Sequence, residues 1–248
     1  MAANYLTYWL KAKGSHALHS PFLFNLYGNA FKKASKSLIP EIEIIRKNLL
    51  RNDTPIDVVD FKTGQTRLKT IGDVARGSLS TAKFSSLLKL LCDELEIKTA
   101  LETGTSLGIN ALYLSKGNKM EKVISIEGSG IIHQLAKKTV AGVENVDVRL
   151  GNLYELFESN LVQHEPELVF LDADHRKSAI EFCLDKIELH TPNIKCIVIH
   201  DIYWSEDMAD AWKDIIENEK YTLTVDIFQA GIIFPQMQME KQHFTLRF

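Results

Sequence analysis

ALETGTSLGINALYLS, residues 100–115, is the stretch whose reading decides the fold. It opens on a short apolar run, breaks at Gly104 and Gly108, and resumes with apolar residues at helical spacing. This predicts a buried strand, a glycine turn and the first turns of a helix. Glycine at position 104 permits a tight turn close to a ligand, and Gly108 permits close contact between helix and strand. The N–H groups that begin the helix then face whatever the turn encloses. The segment points to a nucleotide-type cofactor site.

The chain around it is regular from Ser80 onward. Ser80-Thr81 caps a helix with Phe84, Leu87, Leu88, Leu91 and Leu95 on one face. Strands are expected at Thr99–Thr103, Lys122–Glu127, Val146–Leu150, 167–171 and 195–200, each followed by a helix. That alternation implies a mostly parallel sheet with helices on both faces. The runs VISI, ELVFL and CIVI suit strands buried on both sides. Strand-like segments at 221–228 and 231–234 are separated by only Gln229 and Ala230, too short a link for a parallel crossover, so they form an antiparallel hairpin. The expected fold is α/β: a Rossmann-like, seven-stranded, mostly parallel sheet with an antiparallel C-terminal hairpin, plus an N-terminal helical cap.

Residues 1–78 read differently. A short helix is expected at 4–13, followed by a loop with His16 and His19. A second helix starts at Ser20-Pro21 and a third after Pro40. Residues 51–77 form a polar excursion with a short strand at 57–61. The expected division is a helical and irregular cap at 1–78 and a cofactor-binding domain at 79–248. The aromatic block of Tyr8, Trp9, Phe22, Phe24 and Tyr27 would cover the pocket or form a homodimer face.

Composition narrows the functional classes. The chain has 248 residues, a net charge of -3 and a pI near 6.3, so nothing draws it globally toward nucleic acid or an anionic membrane. No apolar run approaches the ~18 residues of a membrane span. MAANYLTYWLKAKGSH lacks a signal peptide's layout, so a cytoplasmic protein is expected. Cys92, Cys183 and Cys196 stand far apart and read as small buried hydrophobes.

In open α/β sheets, ligands bind beyond the carboxyl ends of the strands. The first end carries Glu102, Gly104 and Gly108. A dinucleotide fingerprint would need glycine where Ser106 stands. The spacing is instead that of an S-adenosylmethionine-binding turn. Glu127 ends the second strand, 25 residues after Glu102, and a carboxylate there can accept both hydrogens of a ribose diol. Asn152 ends the third; its amide either reads an adenine edge, with Leu153 packing on the ring, or caps the next helix. The fourth ends in Asp172-Ala173-Asp174-His175, of which Asp174 could simply cap the following helix. The fifth ends in His200-Asp201-Ile202-Tyr203-Trp204. Were these last two strands neighbours, ~4.8 Å apart, Asp172 and Asp201 would converge on a cation or a cationic substrate.

Taken together, these residues resemble class I S-adenosylmethionine-dependent methyltransferases, in particular the O-methyltransferases of the catechol and caffeoyl-coenzyme A type. LETGTSLGINALYLS, VISIEGS and LVFLDADHRK carry the likeness, which covers residues 78–234. HALHSPFLFNLY is similar to bacterial methyltransferase relatives of unassigned substrate. The resemblance implies that Glu102, Gly104 and Gly108 line the methionine end of the cofactor, with help from Ser80. Glu127 holds the ribose and Asn152 the adenine; Thr105, Ser106, Gly128, Leu153 and Asp172 complete the set.

In metal-dependent members, the aspartate matching Asp172 and a following Asp-Asn pair bind a divalent cation. Here the pair reads Asp201-Ile202, so one oxygen ligand is missing and a tight magnesium site is disfavoured. His200 could substitute as a ligand, but strand alternation directs it to the other face. The family's lysine base corresponds to His175, which near its reference pKa of ~6.5 can accept a proton at neutrality. His175 and Asp172 are therefore the expected catalytic residues.

The expected function is O-methylation of a small, planar hydroxyl compound. Methylation of a macromolecule is the alternative, although DADH replaces the Asn/Asp-Pro-Pro-aromatic signature of amino-methylating DNA enzymes. A nicotinamide dehydrogenase is disfavoured by Ser106 and by the final hairpin. A non-catalytic binding protein that kept the fold is the remaining reading.

Overall fold

The computed structural model describes residues 2–14, 18, 20–59, 64–237 and 239–248, with side chains from Tyr5 onward. His16, His19 and the end of the strand expected at 57–61 lie outside the described residues.

The N-terminal part contains α1 (Ala2–Lys11), α2 (Pro21–Leu26) and α3 (Pro40–Leu50). Ser20 caps α2 through its hydroxyl, with Pro21 in the first turn. The helix then widens into a π turn over Tyr27–Phe31. A two-stranded antiparallel hairpin follows, β1 (Pro55–Val59) and β2 (Thr66–Thr70), and leads into α4 (Ile71–Ser78). Sequence reading foresaw only one strand here and no helix. The overlooked signal was the capping box in which Thr70 and Asp73 satisfy each other's backbone N–H groups.

From α5 (Ala82–Glu94) the alternation is as expected: β3 (Thr99–Thr103), α6 (Ile109–Ser115), β4 (Lys122–Glu127), α7 (Gly130–Thr139), β5 (Val146–Leu150), α8 (Leu153–His164), β6 (Leu168–Leu171), α9 (Lys177–His190), β7 (Cys196–His200) and α10 (Glu206–Glu217). The tail forms β8 (Leu223–Asp226), β9 (Ala230–Ile233) and β10 (Gln242–Thr245).

The strands make one sheet of order β10-β8-β9-β7-β6-β3-β4-β5. It has eight strands rather than seven, because β10 adds to the outer edge in parallel with β8. Only β9 runs against its neighbours, closing the hairpin with β8 and pairing with β7. The order reverses between β3 and β6, the place where an open sheet of this kind binds ligands.

Alternation along the strands separates two apolar layers. Ala100, Val123, Leu168, Phe170, Cys196 and Val198 face α5, α6 and the α2 region. Leu101, Ile124, Val169, Leu171, Ile197 and Ile199 face α8, α9 and α10. The first layer also takes in Leu23, Leu26, Tyr27 and Phe31, so the N-terminal helices share the core of the sheet. All three cysteines are buried and free. Among the described residues, no helix is long and apolar enough to cross a membrane.

Candidate active site

The turn after β3 is shaped by its glycines. Gly104 has φ +85°, and a Cβ there would lie 2.4 Å from the Asp172 carbonyl oxygen. Only glycine lets the ends of β3 and β6 approach this closely. Gly108, also at φ +85°, is the N-cap of α6. Its open face meets Ala136 of α7 and the C-cap residue Val140, so the close contact it permits is helix on helix rather than helix on strand.

Glu102 is fully buried at the end of β3. Ser125 donates to its Oε2 at 2.5 Å, and Thr105 shares a 2.5 Å hydroxyl contact with Ser125. Its Oε1 has no hydrogen-bond partner. Burial pushes the Glu102 carboxyl up to about 8, against the lowering effect of the Ser125 hydroxyl. A buried carboxyl with one oxygen unbonded fits a cationic donor such as a ligand ammonium, whose approach would favour loss of the proton.

Glu127 ends β4 and joins two loops. Its oxygens accept from the backbone N–H of Ser106 at 2.9 Å and of Ser129 at 2.8 Å. Burial raises its pKa, and the N–H groups of Ser129 and Ser106 oppose that rise. Ser106, at φ +50°, bends the turn so that its N–H reaches this carboxylate while its hydroxyl meets Ser78 at 2.6 Å. Gly128 lies exposed beside Glu127. Ser80 is buried before α5: Arg46 donates to its carbonyl, and Asn110 donates to its hydroxyl at 3.1 Å. The buried Arg46 was not foreseen as a part of this region. Asn152 caps α8, its Oδ1 accepting from Tyr154 N–H at 2.9 Å, and Leu153 packs partly into the apolar layer that faces α8, α9 and α10.

On the other side of the switch point, the ends of β6 and β7 bring four side chains together: Asp172, His175, His200 and Asp201. His200 Nδ1 lies 3.0 Å from Asp172 Oδ1 and 3.6 Å from Asp201 Oδ2. His175 Nε2 lies 3.5 Å and 3.3 Å from the same two oxygens. The exclusion of His200 by alternation is corrected here. The β6–β7 register pairs Leu171 with Ile199, so the next step sets Asp172 beside His200 on one face. Asp201 then turns back to join them through a left-handed φ of +55°. The His200 ring packs against Phe84 and Phe170 at 4.8 and 6.0 Å.

Charge in this cluster is coupled. Burial disfavours a charged His175, but the Asp172 and Asp201 carboxylates outweigh it and raise its pKa to about 9. The same contest carries His200 to about 10 and leaves Asp201 well below the usual carboxylate range. The premise that His175 titrates near its reference value therefore does not hold. Asp174 caps no helix: it pairs with Arg176 and accepts from the Tyr154 hydroxyl at 3.1 Å, while Asp207 caps α9 through Lys177 N–H.

Where the resemblance implies a metal-binding amide, Ile202 is fully buried in the apolar layer that faces α8, α9 and α10. The all-oxygen set suited to magnesium is thus not assembled. Trp204, half-exposed, lies 6.2 Å from the His175 ring. Tyr203 stacks on Phe228 at 5.4 Å and donates to the buried Asp226 at 2.6 Å. Beside it, a cavity of about 240 Å³ opens between Tyr8, Lys11, Tyr203, Asp226, His243 and Thr245. Of the aromatic block, Tyr8 and Tyr27 are buried and Trp9 and Phe24 are half-exposed.

No protein-family model matches the chain, and no curated protein matches it in sequence. Solved structures match it in fold. A methyltransferase from Podospora anserina with S-adenosylhomocysteine bound is 15% identical, with 89% of this chain and 100% of that one covered at a TM-score of 0.60. An O-methyltransferase from Bacillus cereus in complex with S-adenosylhomocysteine is 16% identical over 82% and 94%, at 0.53. An O-methyltransferase from Streptomyces achromogenes involved in tomaymycin synthesis, in complex with S-adenosylmethionine, is 14% identical over 64% and 82%, also at 0.53. The Rossmann-like fold of these methyltransferases is the fold of this chain.

Proposed function

We propose that the chain is an S-adenosylmethionine-dependent methyltransferase acting on a hydroxyl group of a small, planar acceptor. The observation that carries this reading is the pair of buried carboxylates, Glu102 with its unpartnered Oε1 and Glu127, at successive strand ends beside the glycine turn. Proteins of the same fold were solved with S-adenosylmethionine or S-adenosylhomocysteine bound, which supports the choice of cofactor.

In this reading Glu102, Gly104, Thr105, Ser106 and Gly108 hold the methionine end, with Ser80 alongside. Glu127 and Gly128 hold the ribose, and Asn152 and Leu153 the adenine. Bound there, the cofactor supplies an electrophilic methyl group on a sulfonium. Methyl transfer then depends on orientation and exclusion of water more than on strongly polarising groups. Asp172 borders both cofactor and acceptor. With His175 it forms the proton-holding pair toward which the acceptor hydroxyl is directed. The stacked Tyr203 and Phe228, and Trp204 near His175, suit a flat acceptor.

Calorimetry on the full chain with S-adenosylhomocysteine and, separately, with NAD tests the reading. Binding of S-adenosylhomocysteine at micromolar or lower concentration is expected; tight binding of NAD alone would overturn it.

A further inference from the structure

We propose that Asp172, His175, His200 and Asp201 form a binding site for one divalent transition-metal ion of zinc-like chemistry. The site is distinct in its ligand set from the all-oxygen magnesium site that the resemblance implies. Such a site goes beyond the methyl-transfer reading and does not rest on it, because the four side chains alone would form it.

Geometry is the first support. One donor atom from each residue lies within 4.8 Å of the other three. The four nitrogen–oxygen separations are 3.0, 3.3, 3.5 and 3.6 Å. Four ligands held tetrahedrally at zinc's bond lengths are separated by about 3.3 Å. The four nitrogen–oxygen pairs already stand at nearly that spacing, and the nitrogen–nitrogen and oxygen–oxygen pairs lie within 4.8 Å.

The second support is the state of the two imidazoles. His175 Nε2 and His200 Nδ1 are buried and make no aligned hydrogen bond, despite the carboxylate oxygens around them. Buried nitrogens without such bonds are costly unless another partner takes them up. His200 is also fixed, its ring held between Phe84 and Phe170 and its Nδ1 kept at the cluster. Preset ligands of this kind bind an ion without first being ordered.

Charge and donor type choose the ion. Among the described residues, no lysine or arginine pairs with Asp172 or Asp201. With both imidazoles deprotonated, as metal ligation requires, the four groups carry a charge of minus two, which a dication neutralises. Imidazole nitrogens suit zinc and its transition-metal neighbours, whereas magnesium requires oxygen ligands in octahedral array. The pattern Asp-x-x-His at one strand end and His-Asp at the next, with buried Ile202 in place of an amide, is an N₂O₂ set. An ion and a proton exclude each other at His175 Nε2, so occupancy of the site determines whether His175 can take part in proton transfer.

The test uses full-length protein stripped with a chelator and titrated calorimetrically with zinc and, separately, with magnesium. Zinc should bind one to one at micromolar concentration or below, with magnesium silent in the same range. Cobalt should give the intense visible absorption of a tetrahedral site. His175→Ala, at a partly exposed position, and Asp201→Asn should each weaken zinc binding by at least about 100-fold. Their metal-free thermal unfolding serves as the check on folding. Zinc binding weaker than millimolar, magnesium binding as tight as zinc, or one-to-one zinc binding unchanged in both variants would each overturn the proposal. Loss of S-adenosylhomocysteine binding in other tests would leave it intact.

Discussion

The two halves of the sheet's C-terminal edge handle polar groups in opposite ways. On the β3–β4–β5 side the groups close on one another. Glu127 takes the N–H groups of two loops, Ser125 serves Glu102, and Asn152 caps α8, leaving Glu102 Oε1 unpartnered. On the β6–β7 side two carboxylates and two imidazoles converge without completing hydrogen bonds. One half is a preformed cradle held largely by backbone. The other is a cluster of side chains whose charges depend on what binds there. Asp172 joins them: its backbone packs against Gly104, and its side chain belongs to the cluster.

The largest effect should come from the junction itself. Gly104→Ala puts a Cβ 2.4 Å from the Asp172 carbonyl in a left-handed backbone. Left-handed strain of about 1–2 kcal/mol adds to overpacking of about 1–3 kcal/mol. Gly142 has a similar φ of +83° but open space around it, so Gly142→Ala should cost only the strain. Urea unfolding of the two variants separates the terms. Equal losses would show that the two strand ends do not need this close approach.

Glu127→Ala comes next. It strands the N–H groups of Ser106 and Ser129 and removes the carboxylate proposed to hold the ribose. Losing bonds to a charged group should weaken S-adenosylhomocysteine binding by roughly 10- to 100-fold. Affinity within threefold of the parent would remove Glu127 from the cofactor site.

Glu102 supplies a pH test. Burial holds its folded pKa at about 8, above the ordinary carboxyl value of 4.5, so the folded chain holds a proton that the unfolded chain releases. Stability from this group is fully present below the lower value, declines as pH rises through the interval, and is level above it. The slope is at most about 1.4 kcal/mol per pH unit. Glu102→Gln should remove that decline, measured as denaturant midpoints between pH 5 and pH 8. Parallel profiles for the two proteins would mean that Glu102 is ionised in the free fold.

The cradle was legible in the sequence because its logic is local. Glycines at fixed spacing, acids at strand ends and an N-cap asparagine announce themselves within a few residues. The cluster depends on long-range facts. Which residue stands beside Asp172 follows from the β6–β7 register, and Asp201 joins only because its backbone turns left-handed. Strand alternation alone sends His200 the wrong way; the β6–β7 register, counted across from Asp172, places the ring beside it. The same gap hid Arg46, whose hydrogen bonds cross to Ser80 and Ser85, whereas β2 went unread although it pairs with the neighbouring β1.

The smallest expected effect asks whether the halves are independent. The His175 ring meets Asp172, Asp201 and Trp204, and none of the bonds holding Glu102, Glu127 or Asn152 involves it. Asp172 is the one residue the two halves have in common, and sites coupled through nothing else add their effects within about 0.3–0.5 kcal/mol. His175→Ala should therefore change S-adenosylhomocysteine affinity by no more than about twofold. With an accepted hydroxyl substrate, the same variant should slow methyl transfer by about 10²–10⁴-fold if His175 handles the acceptor's proton. An unchanged rate would end that catalytic role. A large loss of cofactor affinity would show instead that the cluster reaches through Asp172 into the cradle, since Asp172 is the only residue of the cluster whose backbone braces the glycine turn.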